Sequence, residues 1–321
     1  MQHDETLGAT APLKMGANMW GQYTEWAPLH DAGIRADALG FDSIWTWDHL
    51  YPIVGSHEGP MFEGWLTLTA WAERTERATV GLMVGANTFR NPALVAKLAT
   101  TLDHISGGRA VLGIGGAWFE TEHRAFGIEF GGSPGERLRW LEEAACIMRG
   151  MLRGERPSGD HFYATHQVRN DPPPLQERLP ILIGGGGEKK TLRIVARYAD
   201  ACNFGGDFEN VKRKDEILRR HCEEVGRNES EIERTVGIGT CIIRDDPAEA
   251  RRVFEAMFER NGRAEPWKSQ LVGTVDQVVD QLRPFLGIGF RHLIAGFPSP
   301  YDAESMERLI TEVRLALLAN A

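Results

Sequence analysis

Cysteine is scarce in this 321-residue chain: four residues, Cys146, Cys202, Cys222 and Cys241, none in a C-x-x-C pair. Isolated thiols give no disulfide framework; they fit a reducing compartment, where they serve as small buried hydrophobes. No uninterrupted apolar stretch approaches the roughly 18 residues that a membrane span requires. Residues 1–14 lack a basic segment followed by an apolar run, so no signal peptide is expected there. Positive charge is also short, with 36 Lys and Arg against 45 Asp and Glu and a formal charge of -9. That balance argues against a nucleic-acid partner, which needs clustered cations on one face. No Gly-x-Ser-x-Gly elbow and no H-E-x-x-H spacing occur, which argues against a serine hydrolase and against a metal centre. The expectation is a cytoplasmic protein acting on a small-molecule substrate.

What is present is alternation. Strand-like runs at 14–18, 43–48, 79–86, 110–115, 181–183, 201–204, 236–243 and 292–295 are separated by helical patterns. The helices read at 28–39, 63–74, 92–104, 134–152, 188–198, 208–225, 247–260 and 275–286, with a last one at 303–318. Pro28 and Pro92 each suit a first helical position, and Leu94, Leu98 and Leu102 share one helical face, as a core stripe would. Eight strands each followed by a helix predict an α/β fold, a (β/α)8 TIM barrel formed by residues 1–321 as one domain. A doubly wound open sheet competes, but its cofactor glycines normally follow the first strand, and here they follow the fifth. Two irregular segments, 153–179 and 261–274, read as insertions expected to roof a substrate pocket at the strand carboxyl ends.

The densest chemical signal is the run Gly184-Gly185-Gly186-Gly187-Glu188-Lys189-Lys190 after the short apolar strand Ile181-Leu182-Ile183. Glycines let successive N–H groups turn toward one point, and a helix N-terminus adds donors and partial positive charge. The turn is built to hold a phosphate. At the second strand end, Asp48-His49 pairs a carboxylate with the side chain best able to exchange a proton near neutrality. Position alone leaves two readings of that pair, a catalytic dyad or a loop cap. The third strand runs into Gly85-Ala86-Asn87, and the fourth into Gly115-Gly116-Ala117-Trp118-Phe119, where small residues leave room for a flat ring. Glu120, Glu122 and His123 follow, without the spacing of a metal site.

These pieces resemble the bacterial-luciferase-like superfamily, and most closely its branch that uses the deazaflavin coenzyme F-420. The matching stretches are Trp45-Thr46-Trp47-Asp48-His49-Leu50, Phe62 to Leu68, Ala99 to Arg109, Gly113 to Glu120 and Ile181 to Arg193. The resemblance implies a coenzyme ring over the barrel mouth, with its phosphate held by Gly184, Gly185, Gly186, Gly187, Glu188 and Lys189. It implies a bulge, often with a non-prolyl cis peptide, at Met83 and Val84, pressing on the ring near Asn87 and Gly115. His49 falls where sugar-phosphate dehydrogenases of the family carry a catalytic histidine, here oriented by Asp48. Those relatives place a tryptophan where this chain has Ile53 and a glutamate where it has Trp118; Glu120 is the nearest alternative acid. The implied function is hydride transfer between coenzyme F-420 and an organic substrate. An FMN-dependent monooxygenase is the runner-up, and a coenzyme-binding protein without turnover is a further alternative. Likeness also implies a homodimer, with the helices at 63–74 and 92–104 as candidate interfaces.

Overall fold

The computed structural model describes residues 11–262 and 270–319. Eight parallel strand positions close on themselves. The first seven, in order, are β1 (Lys14–Met19), β2 (Ser43–Thr46), β3 (Thr79–Leu82) continued by β4 (Gly85–Ala86), β5 (Ala110–Gly115), β6 (Ile181–Gly184), β7 (Ala201–Gly205) and β8 (Glu233–Ile243). A short β9 (Leu271–Gly273) pairs only with the far end of β8, and β10 (His292–Phe297) closes the ring by pairing both β8 and β1. Every ladder is parallel, as expected when each crossover is a helix.

The outer layer comprises α1 (Trp26–Leu39), α2 (Gly64–Arg74), α3 (Pro92–Ser106), α4 (Glu120–Phe126), α5 (Pro134–Leu152), α6 (Thr191–Tyr198), α7 (Phe208–Val225), α8 (Pro247–Arg260) and α9 (Val275–Gly287). The chain then ends in α10 (Ala303–Arg308), a π-helical turn and α11 (Arg314–Ala319). The main apolar cluster lies between helices and strands, while a separate cluster of Trp45, Leu182, Ala201 and Ile294 fills the barrel interior. Strand alternation explains the division: Ile44 faces the helices, and Trp45 points inward.

All eight expected barrel strands are present, and four local expectations are corrected. Helix α1 starts at Trp26, so Pro28 lies inside its first turn rather than at its first position, a place that still needs no donor from its nitrogen. On α3 the core face is Val95, Ala96, Ala99 and Leu102, whereas Leu94 is exposed, because positions four apart drift around a helix of 3.6 residues per turn. Helix α4 was not legible because it is only 7 residues long, closed by Gly127 in the left-handed region. The segment 153–179 does not line either cavity described below. It lies against α3 and α5, where Phe162 stacks on Trp140, Asn170 donates to Thr100, and Asp103 accepts from the amides of Leu175 and Gln176. In the second irregular segment β9 is a strand, and residues 263–269 lie outside the described residues.

The interior tolerates few extra atoms. A Cβ on Gly113 would sit 1.9 Å from the carbonyl oxygen of Leu82, a backbone atom that cannot swing aside. Gly113→Ala should therefore destabilise the protein by about 1–3 kcal/mol, read as a fall in Tm. Gly287→Ala, whose Cβ meets nothing within 4 Å, should leave Tm unchanged or slightly raised.

Candidate active site

The third barrel strand is broken between β3 and β4, and the Met83–Val84 peptide at the break is cis. The irregularity lies where the family resemblance implied it, at Met83 and Val84. Val84 turns into the barrel mouth and seats between two neighbouring strand ends. A Cβ on Gly115 or on Gly184 would approach a Val84 methyl carbon to 2.8 Å, so both positions are kept to glycine by this side chain.

A cavity of about 460 Å³ opens above the break. Its wall runs from Trp47, Asp48 and His49 after β2, past Met83 to Ala86, to Gly115 through Trp118, and ends at Arg137, Gly184, Gly185 and Thr191. Ile53, Glu122, Pro134 and Leu138 complete the lining. The cavity thus joins the Asp48-His49 end of the sequence signal to the glycine turn.

His49 is held by a residue that sequence reasoning did not assign to it. Nδ1 lies 2.9 Å from Glu122 Oε1, and the other Glu122 oxygen accepts from the amide of Leu50 at 2.8 Å. Glu122 is 1% exposed. A carboxylate accepts, so Nδ1 donates and Nε2 is left as the proton-accepting atom. Asp48 does not contact His49 in this way, which corrects the expected orientation. Its carboxylate accepts from both the Arg90 guanidinium, at 2.8 Å, and the amide of Ala86, at 2.9 Å, and Arg90 also pairs with Glu63. Burial pushes the Asp48 carboxyl upward from the ordinary range, against the opposing pull of Arg90. Asp48 ties the loop after β2 to the far side of the strand break.

The other polar residues after the fourth barrel strand separate into distinct roles. Glu120 is exposed and pairs with Arg124. His123 is buried, and burial lowers its pKa below the ordinary value, with its hydrogen bond to the Phe119 carbonyl opposing. Its Nδ1 donates to that carbonyl, so Nε2 accepts from the Thr88 hydroxyl at 2.6 Å. Among the described residues no group of three could hold a metal ion. Trp118, 62% exposed, overhangs His49 with ring centroids 5.6 Å apart.

In the glycine turn, the four glycines differ in what constrains them, most firmly at Gly184 and Gly185 and least at Gly186, where the neighbour is a movable lysine. Gly184 accommodates Val84, and Gly185 adopts φ 116°, in the left-handed region. A Cβ on Gly186 would meet Lys214 Nζ at 2.2 Å, and one on Gly187 would meet Thr191 Oγ1 at 2.6 Å. The expected helix start at 188 is shifted: α6 begins at Thr191, with the Leu192 amide closing on the Gly187 carbonyl. Gly184 and Gly185 line the cavity, whereas Gly186, Gly187, Glu188 and Lys189 form the turn behind them. Glu188 is paired with Arg213. Asn87 also stands behind the wall, its carbonyl accepting from Tyr163 at 2.9 Å.

Arg137 is the second residue that sequence reasoning missed. It comes from the first turn of α5, is 7% exposed, and its guanidinium lies 3.8 Å over the Phe130 ring. One Nη donates weakly to the Phe130 carbonyl at 3.5 Å, but the buried Nε has no hydrogen-bond partner, and among the described residues the side chain forms no ion pair. Burial lowers its pKa from the ordinary value, opposed only by Glu120. The signal was the Pro134-Gly135-Glu136-Arg137 helix start, which looked like an ordinary capped helix.

The family model for luciferase-like monooxygenases matches residues 13–271. The F-420-dependent glucose-6-phosphate dehydrogenase of Intrasporangium calvum is 30% identical over 343 aligned positions, covering 94% of this chain and 98% of that one. The enzyme of the same name from Amycolatopsis mediterranei is 26% identical, covering 94% and 96%. In the fold, the chain is similar to the F-420-dependent tetrahydromethanopterin reductase of Methanopyrus kandleri, at a TM-score of 0.77 and 18% identity, with 96% and 100% covered. It is equally similar to the monooxygenase RslO1 of Streptomyces bottropensis, at 0.78 and 22%, again with 96% and 100% covered. A barrel whose third strand is broken at the mouth, joined to a match along most of its length, places this chain in the luciferase-like monooxygenase family.

Proposed function

We infer that this protein is a coenzyme F-420-dependent oxidoreductase that moves a hydride between the deazaflavin and an organic substrate. The observation that carries the reading is one cavity lined by a carboxylate-backed histidine, a glycine turn and a buried guanidinium with no ion-pair partner among the described residues. Relatives named as F-420-dependent dehydrogenases along nearly the full length support the choice of coenzyme.

The residues present fit such a coenzyme. Gly184 and Gly185, with Thr191 and Arg137, would hold its phosphodiester, since a buried guanidinium with an unpartnered Nε on the same cavity wall as a glycine turn is chemistry for an anion. Gly186, Gly187, Glu188 and Lys189 would shape the turn that presents those groups. Met83 and Val84 would back the ring, with Gly115 beside them and Asn87 supporting the wall. When bound, the coenzyme supplies the two-electron hydride chemistry. His49 exchanges the substrate proton at Nε2, Glu122 fixes its tautomer, and Asp48 holds the loop that carries it. Trp118 and Trp47 exclude water from that point.

The runner-up, an FMN-dependent monooxygenase, would use the same barrel and anion site. Titrating purified protein with each coenzyme and following fluorescence quenching decides between them: F-420 should bind and FMN bind more weakly, and the reverse order sinks the reading. We place the protein in the cytoplasm as a homodimer; its free cysteines support the first, and the exposed Leu66, Leu94 and Ile105 of α2 and α3 support the second.

His49→Ala should lower turnover by about a hundredfold or more with coenzyme affinity nearly unchanged. Glu122→Gln should lower turnover by about tenfold or more, and should cost nothing further in a chain that already carries His49→Ala. A purely structural role for Glu122 would give additive losses instead. Arg137→Gln should weaken F-420 binding by about tenfold or more, yet leave binding of the phosphate-free deazaflavin chromophore unchanged in the same titration.

A further inference from the structure

A second cavity, of about 410 Å³, opens on the other side of the strand break. It shares Trp47 and Met83 with the first, so a molecule inside it lies against the same wall that backs the proposed coenzyme site. Its lining is unlike the first cavity's. Trp20 and Trp47 form one side as a tilted aromatic pair with centroids 4.7 Å apart, and Met83 and Ile294 add further apolar surface. Among the described residues the remaining wall is glycine backbone in or just past β7, β8 and β10, together with Asn18 and Asn203. Gly205 has open space where a side chain would project, since a Cβ there meets nothing within 4 Å.

The electrostatics of this cavity point away from anions. Among the described residues its lining contains no ionisable side chain. At its rim, Gly205 and Gly206 lead straight into Asp207, the N-cap of α7, whose carboxylate accepts from the Asn210 amide at 2.9 Å. The positive end of that helix is therefore already matched by a negative group, and an incoming phosphate would face like charge. The polar atoms left over favour a donor. Asn18 Oδ1 is buried without a partner, while Asn203 Nδ2 is committed to the Thr235 hydroxyl at 2.8 Å. An orphaned buried acceptor at a cavity wall is satisfied by a ligand hydroxyl or N–H.

We propose that this second cavity binds an uncharged substrate with a flat apolar body and a hydroxyl or N–H donor, and that it rejects sugar phosphates. The proposal rests on the oxidoreductase reading for the word substrate, whose reacting end would reach past the shared Trp47, its ring centroid 6.4 Å from that of His49, because His49 itself lines only the first cavity; the binding preference stands on the cavity alone. The relatives named above are dehydrogenases of glucose-6-phosphate; this chain keeps their coenzyme chemistry and differs in what it oxidises or reduces.

The test is calorimetric titration of the intact protein, with and without F-420, using uncharged ring alcohols (phenylethanol and tetralol) and glucose 6-phosphate. The alcohols should bind at least about tenfold more tightly than the sugar phosphate. Gly205→Leu, which fills the open space without backbone conflict, should weaken alcohol binding by about tenfold or more while F-420 quenching stays unchanged. Sugar phosphate binding as tightly as the alcohols, no alcohol binding at all, or alcohol binding indifferent to Gly205→Leu overturns the proposal. Failure of the coenzyme reading shows separately, as absent F-420 quenching with alcohol binding intact.

Discussion

The structure depends on one steric contact, the seating of Val84 between Gly115 and Gly184. A parallel barrel is otherwise a packed solid, filled to its mouth by inward side chains such as Trp45, Leu182 and Ile294. Interrupting the third strand removes two residues from the ladder and turns them inward at the rim, where glycines on the adjacent strands leave space for them. The inserted pair becomes a partition. One cavity forms on the side of β2 and β6, the other on the side of β7, β8 and β10, and Met83 belongs to both. The two cavities meet only along Trp47 and Met83, which line both among the described residues, so a carrier in one and a substrate in the other would have to touch past that shared edge and not through the wall.

Charge follows the same partition. The first cavity holds a desolvated guanidinium with no ion-pair partner among the described residues, and the second holds two tryptophans and an amide oxygen without a hydrogen-bond partner. Burying Arg137 with only the Phe130 ring and carbonyl to face its charge is costly for the isolated chain. Such a cost is tolerated where a ligand removes it, and the same logic applies on a smaller scale to Asn18. The histidine lies between these extremes, backed by a fully hydrogen-bonded carboxylate, so its tautomer is set before anything binds.

The barrel was legible because its evidence is periodic: eight apolar runs of strand length, each followed by a helical pattern, admit few other closures. Glycine punctuation at 184–187 and the Asp48-His49 pair were legible for a different reason, since both are compact in sequence. What could not be read were relations between distant residues. His49 and Glu122 stand 73 positions apart, and Glu122 read only as one of two acids after the fourth strand, without the spacing of a metal site. Arg137 was hidden by an unremarkable N-terminal turn, because desolvation is a property of the surroundings and leaves no mark on the residue's neighbours in the chain. The segment Ala99 to Arg109 carried strong family resemblance, yet its physical work is scaffolding: Asp103 anchors the 153–179 segment, and Arg109 binds the carbonyls of Ala72, Thr75 and Ala78 at the end of α2.

That peripheral segment reaches further than its position suggests. Tyr163, carried by it, donates to the Asn87 carbonyl just past the break in the third strand, and the Asn87 amide in turn bonds the Gly115 carbonyl. The outer wrapping is thereby mechanically in series with the platform at the barrel mouth, like a strut bolted through a wall. Divergence or shortening of this exterior stretch among descendants of the chain would retune the interior platform without altering a single residue that faces either cavity.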